Sequence, residues 1–398
     1  MDLMTDLMND INNIRHGLVK LATFVVNCGL LLCGCQREAD ISGMDPIPDT
    51  SHPIGFSIET VTVTDGTRGM EPVTVPQLRD YGFGVCASYS QQDVILPFSG
   101  NAVNYFLEME VRPVGDLWET TPISYWPIAG KLSFFAYAPY NVNRTAIQAA
   151  IPSADYVSGP LSIDYTPAEN VSAQSDFCVS KPVYNRAYTG APVPFDFRHT
   201  LCRVFFSFNY KHDKATPGAT GLPAGTSLVI NQIDITGVTG TRLLTYKDAE
   251  PFYEWGEEKG NSSYTLKRWG DDQIAKTTIP RTASGDGIEA DITDSNGRLY
   301  LLPQTVNAGG SGDASITVTA AIVKSPNTES ETTVTEFTVT KKLPETEWPA
   351  GGGVRYHVTL DLTTLTEIKL TYDVDRYDNW ITPYENSNPT GTDKFHID

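Results

Sequence analysis

Histidine is the side chain best suited to moving protons or holding a metal near neutral pH. This chain has six: His16, His52, His199, His212, His357 and His396. No two lie within one helical turn and no HExxH run occurs, so the pattern of a zinc hydrolase is missing. GxSxG, P-loop and GxGxxG runs are missing as well. His199 and His357 read as strand residues that satisfy buried or rim hydrogen bonds. Asp294-Ser295-Asn296-Gly297 resembles part of a calcium loop but lacks its earlier aspartate and its distant glutamate, and Asn296-Gly297 suits a hairpin turn. Asp373 and Asp375 share a strand face and, with Asp378, could hold a cation, but a solvated edge is the simpler reading. The sequence therefore predicts no enzyme, no metal centre and no cofactor.

The cysteines are Cys28, Cys33, Cys35, Cys86, Cys178 and Cys202. The last three stand singly, which favours buried free thiols, with one bridge among them left open. Six tryptophans and 19 tyrosines raise a different chemistry, the stacking of sugars on aromatic rings. Trp255 and Trp269, in the charged run EPFYEWGEEKGNSSYTLKRWGDD, are the candidates for such platforms. Aromatic residues are equally ordinary in a sandwich core.

The elements that carry these residues come from 398 residues, 40% of them hydrophobic, enough for two ordinary domains with real cores. The 29 basic residues face 48 acidic ones, a net charge of -19, which repels a phosphate backbone and excludes nucleic acid as a partner.

From Leu21 to Leu32 the chain is apolar (LATFVVNCGLLL) and follows Arg15 and Lys20. Twelve residues are too few to cross a ~30 Å hydrocarbon core as a helix, but they fit the apolar region of a secretory signal. The run ends in Leu32-Cys33-Gly34-Cys35, which looks like the lipobox of a bacterial lipoprotein, with Cys35 as the lipidated residue. Asp2, Asp6 and Asp10 outnumber the two bases, whereas a start at Met8 would leave the segment positive. After Cys35, residues 35–52 read as a tether.

The remainder alternates with period 2. Val204, Phe206, Phe208 and Tyr210 form one apolar face, and Ile316, Val318, Ala320 and Ile322 form another. Val354, Tyr356, Val358, Leu360 and Leu362 form a third, with Ile368, Leu370, Tyr372 and Val374 a fourth. Such faces predict antiparallel sandwich sheets. Leu132 to Tyr137 (LSFFAY) is apolar on both faces and predicts a central, covered strand. Ile54, Phe56 and Ile58 share a face, while Val61 and Val63 fall on the opposite parity, so a bulge or strand end is expected near Thr60. TGAPVP, within residues 188–196, breaks the pattern and suggests a boundary there.

Several phrases in order resemble the fimbrillin family, in its Mfa-like branch. They are Ile54-Gly55-Phe56-Ser57-Ile58 with Thr67-Arg68 after it, Tyr125-Trp126-Pro127, and Leu132 to Pro139. Phe197-Arg198-His199-Thr200-Leu201-Cys202-Arg203-Val204 follows, then Leu301-Leu302-Pro303-Gln304, Gly353-Val354-Arg355-Tyr356 and Trp380. The resemblance implies an all-β chain of two tandem transthyretin-like β-sandwiches. On this reading residues 1–34 are a lipoprotein signal peptide and 35–52 a tether. The N-terminal domain is 53–192 and the C-terminal domain 193–398, with a polar tail from about 381. The resemblance further implies a pilus subunit or adhesin, lipid-anchored at the outer membrane and cell surface. Its partners would be other fimbrial subunits and a host or bacterial surface ligand. Cleavage after an arginine, for which Arg68 is the candidate, would release the first strand with Ile54, Phe56 and Ile58. A neighbour's strand would then fill the groove. Arg79 should be less accessible, and Arg37 precedes the strand. The tail holds Pro383 and Pro389, unlike a donor strand. A surface glycan-binding lipoprotein is the alternative.

Overall fold

The computed structural model describes residues 46–60, 75–93, 105–140, 162–212, 222–248, 250, 252–269, 274, 276–281, 287–292, 299–310 and 312–375. Cys35, Arg68, Asp294 to Gly297, Asp378 and Trp380 lie outside them. No helix of the described residues is long and apolar enough to cross a membrane.

The described chain opens with β1 (Pro48–Pro53) and β2 (Gly55–Thr60), then a seven-residue helix α1 (Val75–Tyr81). Next come β3 (Phe83–Ser90), β4 (Phe106–Val114), β5 (Leu117–Thr121), β6 (Tyr125–Pro127) and β7 (Lys131–Ala138). They are followed by β8 (Ser162–Tyr165), β9 (Cys178–Ser180), β10 (Val183–Arg186) and β11 (Val193–His199). The later strands are β12 (Cys202–Lys211), β13 (Thr226–Tyr246), β14 (Tyr253–Lys267), β15 (Ala290–Asp291), β16 (Leu299–Leu301) and β17 (Gln304–Val306). The last are β18 (Ser315–Lys324), β19 (Thr332–Lys342), β20 (Thr346–Trp348), β21 (Gly353–Asp361) and β22 (Ile368–Asp375). The protein is all-β, as its alternation predicts.

The first sheet runs β10-β7-β3-β4-β5-β2-β11-β9, and β9 also pairs with β7. The path from β7 through β9 thus closes on itself, and closure removes sheet edges. Its interior holds Ile54, Phe56, Phe83, Val85, Val111, Trp118, Phe134 and Phe195. The doubly apolar LSFFAY run has a concrete cause. Leu132, Phe134 and Ala136 of β7 point into this core, while Phe135 and Tyr137 point into a second cluster shared with Leu244, Tyr246, Tyr253 and Tyr300. Because side chains alternate along a strand, one strand can line two cores only if both of its faces are apolar.

The second half is a sandwich of β15-β12-β21-β22 against β14-β13-β18-β19, with the four alternating apolar faces predicted from the sequence meeting in one core. One expectation needs correction. The sheets are mixed: β12 pairs in parallel with β21 from Arg203↔Gly353 to Lys211↔Asp361, and β11 pairs in parallel with β2. Parallel neighbours need a long crossover, and some 140 residues separate β12 from β21, so local alternation could not reveal their direction.

Strand β13 joins the halves. Its Leu228, Ile230, Ile233 and Ile235 enter the sandwich core, whereas Leu244 and Tyr246 enter the shared cluster. The Tyr246 hydroxyl donates to the Ala136 carbonyl at 2.6 Å, and β8 adds to the same end of β13. Residues from Pro46 onward accordingly form one compact unit. Residues 188–196 do not separate the sheets, since Val193–His199 pairs with β2 and β9 of the first one. Apart from β8, which already pairs with β13, the chain passes to the second half at Thr200 and Leu201, just before β12.

Candidate functional site

Strand β2 is a seam in the closed sheet. It pairs antiparallel with β5 through Gly55↔Glu119 and Phe56↔Trp118, and parallel with β11 through Phe56↔Val193, Ser57↔Pro194 and Ile58↔Phe195. The register shifts between Ile58 and Thr60, where the change of parity predicts a break. Ile54 and Phe56 are fully buried and Ile58 is partly buried against the same core. Phe56 stacks on Phe195, with ring centroids 5.4 Å apart, and meets Phe134 and Phe83 edge-on at 5.7 and 6.2 Å. Outside the closed sheet, β1 pairs only with the short β6. Arg79 sits in α1, exposed, where its guanidinium donates to the Gly115 carbonyl at 2.8 Å; its helical backbone, rather than burial, keeps it from the extended shape a protease needs.

Among the described residues, Asp176, Cys178 and His199 bring three side chains of metal-ligating type together. Strand register places His199 directly opposite Cys178, across the β9–β11 pair. Asp176 and Cys178 are buried and the His199 side chain is 9% exposed. His199 Nδ1 lies 2.5 Å from Asp176 Oδ2 and 3.3 Å from Cys178 Sγ, and Cys178 Sγ lies 3.7 Å from the same carboxylate oxygen. Thiol and carboxylate therefore meet one ring nitrogen. A nucleophilic triad needs them on opposite nitrogens so that the imidazole can relay a proton. Burial and the neighbouring Asp176 also push the Cys178 thiol well above its ordinary range, which keeps it protonated. Cys86 and Cys202 are likewise buried and free, as their spacing predicts. Nothing in the spacing of residues 176, 178 and 199 marks this cluster. Only strand pairing assembles it.

His357, the other strand histidine, bridges two carboxylates. Nδ1 contacts Glu289 and Ser207, and Nε2 lies 3.1 Å from Asp373. Asp373 is thus paired with a histidine; the side chain of Asp375 is not described. Burial opposes ionisation of Glu289, but hydrogen bonds from Ser207 and His357 outweigh it and hold the carboxyl below its ordinary range.

The two tryptophans proposed as sugar platforms sit near opposite ends of β14, so they cannot share one ligand. Trp255 is half-buried, its indole N–H donating to the Thr200 carbonyl at 2.9 Å, and it packs against the shared core. Trp269 is 50% exposed, with Lys276 Nζ 4.1 Å and Arg268 Cζ 5.0 Å from its ring centroid. Arg268 itself is buried and doubly bonded to Glu331 at 2.9 and 2.6 Å, an ion pair that the sequence did not suggest.

Known proteins share features of this fold. A fimbrial protein from Bacteroides vulgatus is similar in fold, with a TM-score of 0.56 and 20% identity over 81% of this chain and 99% of that one. A proposed cell adhesion protein from Bacteroides ovatus aligns with a TM-score of 0.42 and 16% identity, covering 84% of this chain and 99% of that one. The fimbrial anchor protein Mfa2 from Porphyromonas gingivalis aligns with a TM-score of 0.32 and 9% identity, covering 81% and 96%. No curated protein sequence matches this one. The profile of the fimbrillin-like family matches residues 82–375, most of the chain and nearly all of its strands from β3 to β22, and the chain belongs to that family.

Proposed function

We propose that this chain is a structural component of a bacterial fimbria or a cell-surface adhesin, without catalytic activity, that joins its neighbours by strand addition. The observation that carries this reading is the position of β2. It closes the first sheet between β5 and β11 and fills the core with Phe56, next to Ile54 just ahead of the strand. Removing it would expose two unpaired edges and an aromatic slot walled by Phe83, Phe134 and Phe195. A strand from another subunit, entering parallel to β11, would restore both ladders. Refilling three apolar positions is worth on the order of 5–9 kcal/mol before ordering entropy is subtracted. Arg68 follows β2 in the chain, so a cut there would release β1, β2 and the lipid-bearing Cys35 together.

On this proposal the precursor is exported as a lipoprotein, held at the outer membrane through Cys35 and displayed at the cell surface. Its partners are other fimbrial subunits and a surface ligand. The test treats the folded protein with an arginine-specific protease and sequences the new N-terminus. A terminus at Gly69 with SDS-resistant oligomers supports the reading. Resistance at Arg68, or cleavage without assembly, overturns it. Metabolic palmitate labelling of the wild type and of Cys35→Ala tests the anchor separately; a wild type that takes no label removes it.

A further inference from the structure

The Asp176–Cys178–His199 cluster has the chemistry and placement of a metal site. A single hydrogen on His199 Nδ1 can satisfy only one neighbour, and Asp176 Oδ2 at 2.5 Å takes it. The Cys178 thiol nevertheless approaches the same nitrogen at 3.3 Å, and its own hydrogen has Asp176 Oδ2 at 3.7 Å. Three donor atoms of different elements thus converge on one point, all within 4.8 Å of one another. Around tetrahedral zinc, sulfur, nitrogen and oxygen donors bound at about 2.0–2.3 Å lie roughly 3.3–3.6 Å apart. Both sulfur separations are already close to that. The nitrogen–oxygen pair would open by about 0.8 Å, which rotation of the carboxylate can supply.

The backbone around the cluster is fixed before any ligand arrives. The Thr200 N–H and hydroxyl both donate to the Phe177 carbonyl, at 3.0 and 2.7 Å, locking the β9 and β11 segments together. Tyr253 donates to the His199 carbonyl at 3.1 Å and Trp255 to that of Thr200 at 2.9 Å, so the second half of the molecule braces the same segment. A backbone held in place beforehand lowers the ordering cost that binding would otherwise carry. His199, at 9% exposure, gives the cluster its contact with solvent.

We propose that Asp176 Oδ2, Cys178 Sγ and His199 Nδ1 bind one divalent zinc-type ion, which pins β9 to β11. Sulfur, imidazole and carboxylate together suit zinc and its tetrahedral analogue cobalt(II) rather than calcium or magnesium, which take oxygen donors. Binding replaces the thiol proton and the Nδ1 proton. The first goes to solvent, and the second goes to solvent or reappears on Nε2. The filled site holds Zn2+, a thiolate, a carboxylate, a neutral imidazole and, in the fourth tetrahedral position, a water, with no net charge, which is the least costly state for a buried cluster. Because β9 pairs with both β11 and β7, the ion sits where the first sheet closes.

The experiment titrates the chelator-treated full chain carrying Cys28→Ser, Cys33→Ser and Cys35→Ser, so that only Cys86, Cys178 and Cys202 can supply a thiolate, with cobalt(II) and then with zinc. The expected result is a thiolate-to-cobalt charge-transfer band that saturates near one equivalent and disappears as zinc displaces cobalt. Cys178→Ser should lose the band, while Cys86→Ser and Cys202→Ser keep it. His199→Gln should weaken binding by about tenfold or more. A band that survives in Cys178→Ser, or is lost in Cys86→Ser, overturns the assignment. Should Cys178→Ser fail to fold, the chain without the three N-terminal thiols decides alone: a band at one equivalent with a zinc-dependent rise in thermal midpoint supports the site, and no band at saturating cobalt removes it.

Discussion

Phe56 and Phe195 lie face to face, their rings 13° from parallel and their centroids 5.4 Å apart, one on the seam strand and the other on its parallel neighbour. Both are fully buried. Replacing Phe56 with alanine leaves a cavity between Phe83, Phe134 and Phe195 and should destabilise the first sheet by about 3–5 kcal/mol. Urea unfolding followed by tryptophan fluorescence measures it, since Trp118 and Trp126 lie in the same core. A loss under about 1 kcal/mol would show that β2 does not hold this core together.

Arg268 and Glu331 test the second half independently. The guanidinium is 2% exposed and also bonds Asn327 at 2.7 Å and Asn231 at 3.3 Å. Its hydrogen bond holds the Glu331 carboxyl below the ordinary range, against the opposing effect of burial. Glu331→Gln strands a buried positive charge and should cost about 3–5 kcal/mol, whereas Glu331→Gln combined with Arg268→Met should cost less than the single change. Chemical denaturation of the three variants gives the coupling.

Gly84 on β3 faces Tyr137. A Cβ at residue 84 would lie 2.2 Å from the Tyr137 ring, whose hydroxyl is held by Glu108 at 2.9 Å. The buried ring cannot swing clear without losing that bond, so Gly84→Ala should destabilise by about 1–3 kcal/mol or more. Gly115→Ala provides the contrast: open space surrounds it, and only its φ of +63° is strained. Thermal melts of the two variants should rank Gly84→Ala as the less stable.

Glu289 should add an acid dependence to the β15 side of the second half. Its carboxyl is held below the ordinary 4.5 in the folded protein. A depressed carboxylate contributes stability that is present above its unfolded pKa and is lost as pH falls through the folded pKa. The groups around it are Ser207, His357 and Arg355, with Asp373 and Asp291 on the far sides of His357 and Arg355. The side chain is 44% exposed, so solvent screens the effect and its size should be modest. Glu289→Gln should flatten the loss of stability below pH 4.5, read from urea midpoints across the acid range. An unchanged slope would mean that other carboxylates govern acid unfolding.

Which side chains face inward was legible without any structure. A strand turns alternate residues to opposite faces, so the runs at 204–210, 316–322 and 354–360 declared their buried sides, and LSFFAY declared a strand covered on both. The break after Ile58 could be read from parity for the same reason. These are local properties, set by the backbone period. What stands beside each strand is not local. The parallel pairing of β12 with β21, the membership of Val193–His199 in the first sheet and the closure of that sheet through β7 and β9 depend on contacts between distant segments, whose hydrophobic faces are interchangeable in pattern. The same holds for the Arg268–Glu331 pair, whose partners come from separate strand ends. It holds most clearly for residues 176, 178 and 199, which are unremarkable in spacing and meet only because antiparallel register sets His199 against Cys178.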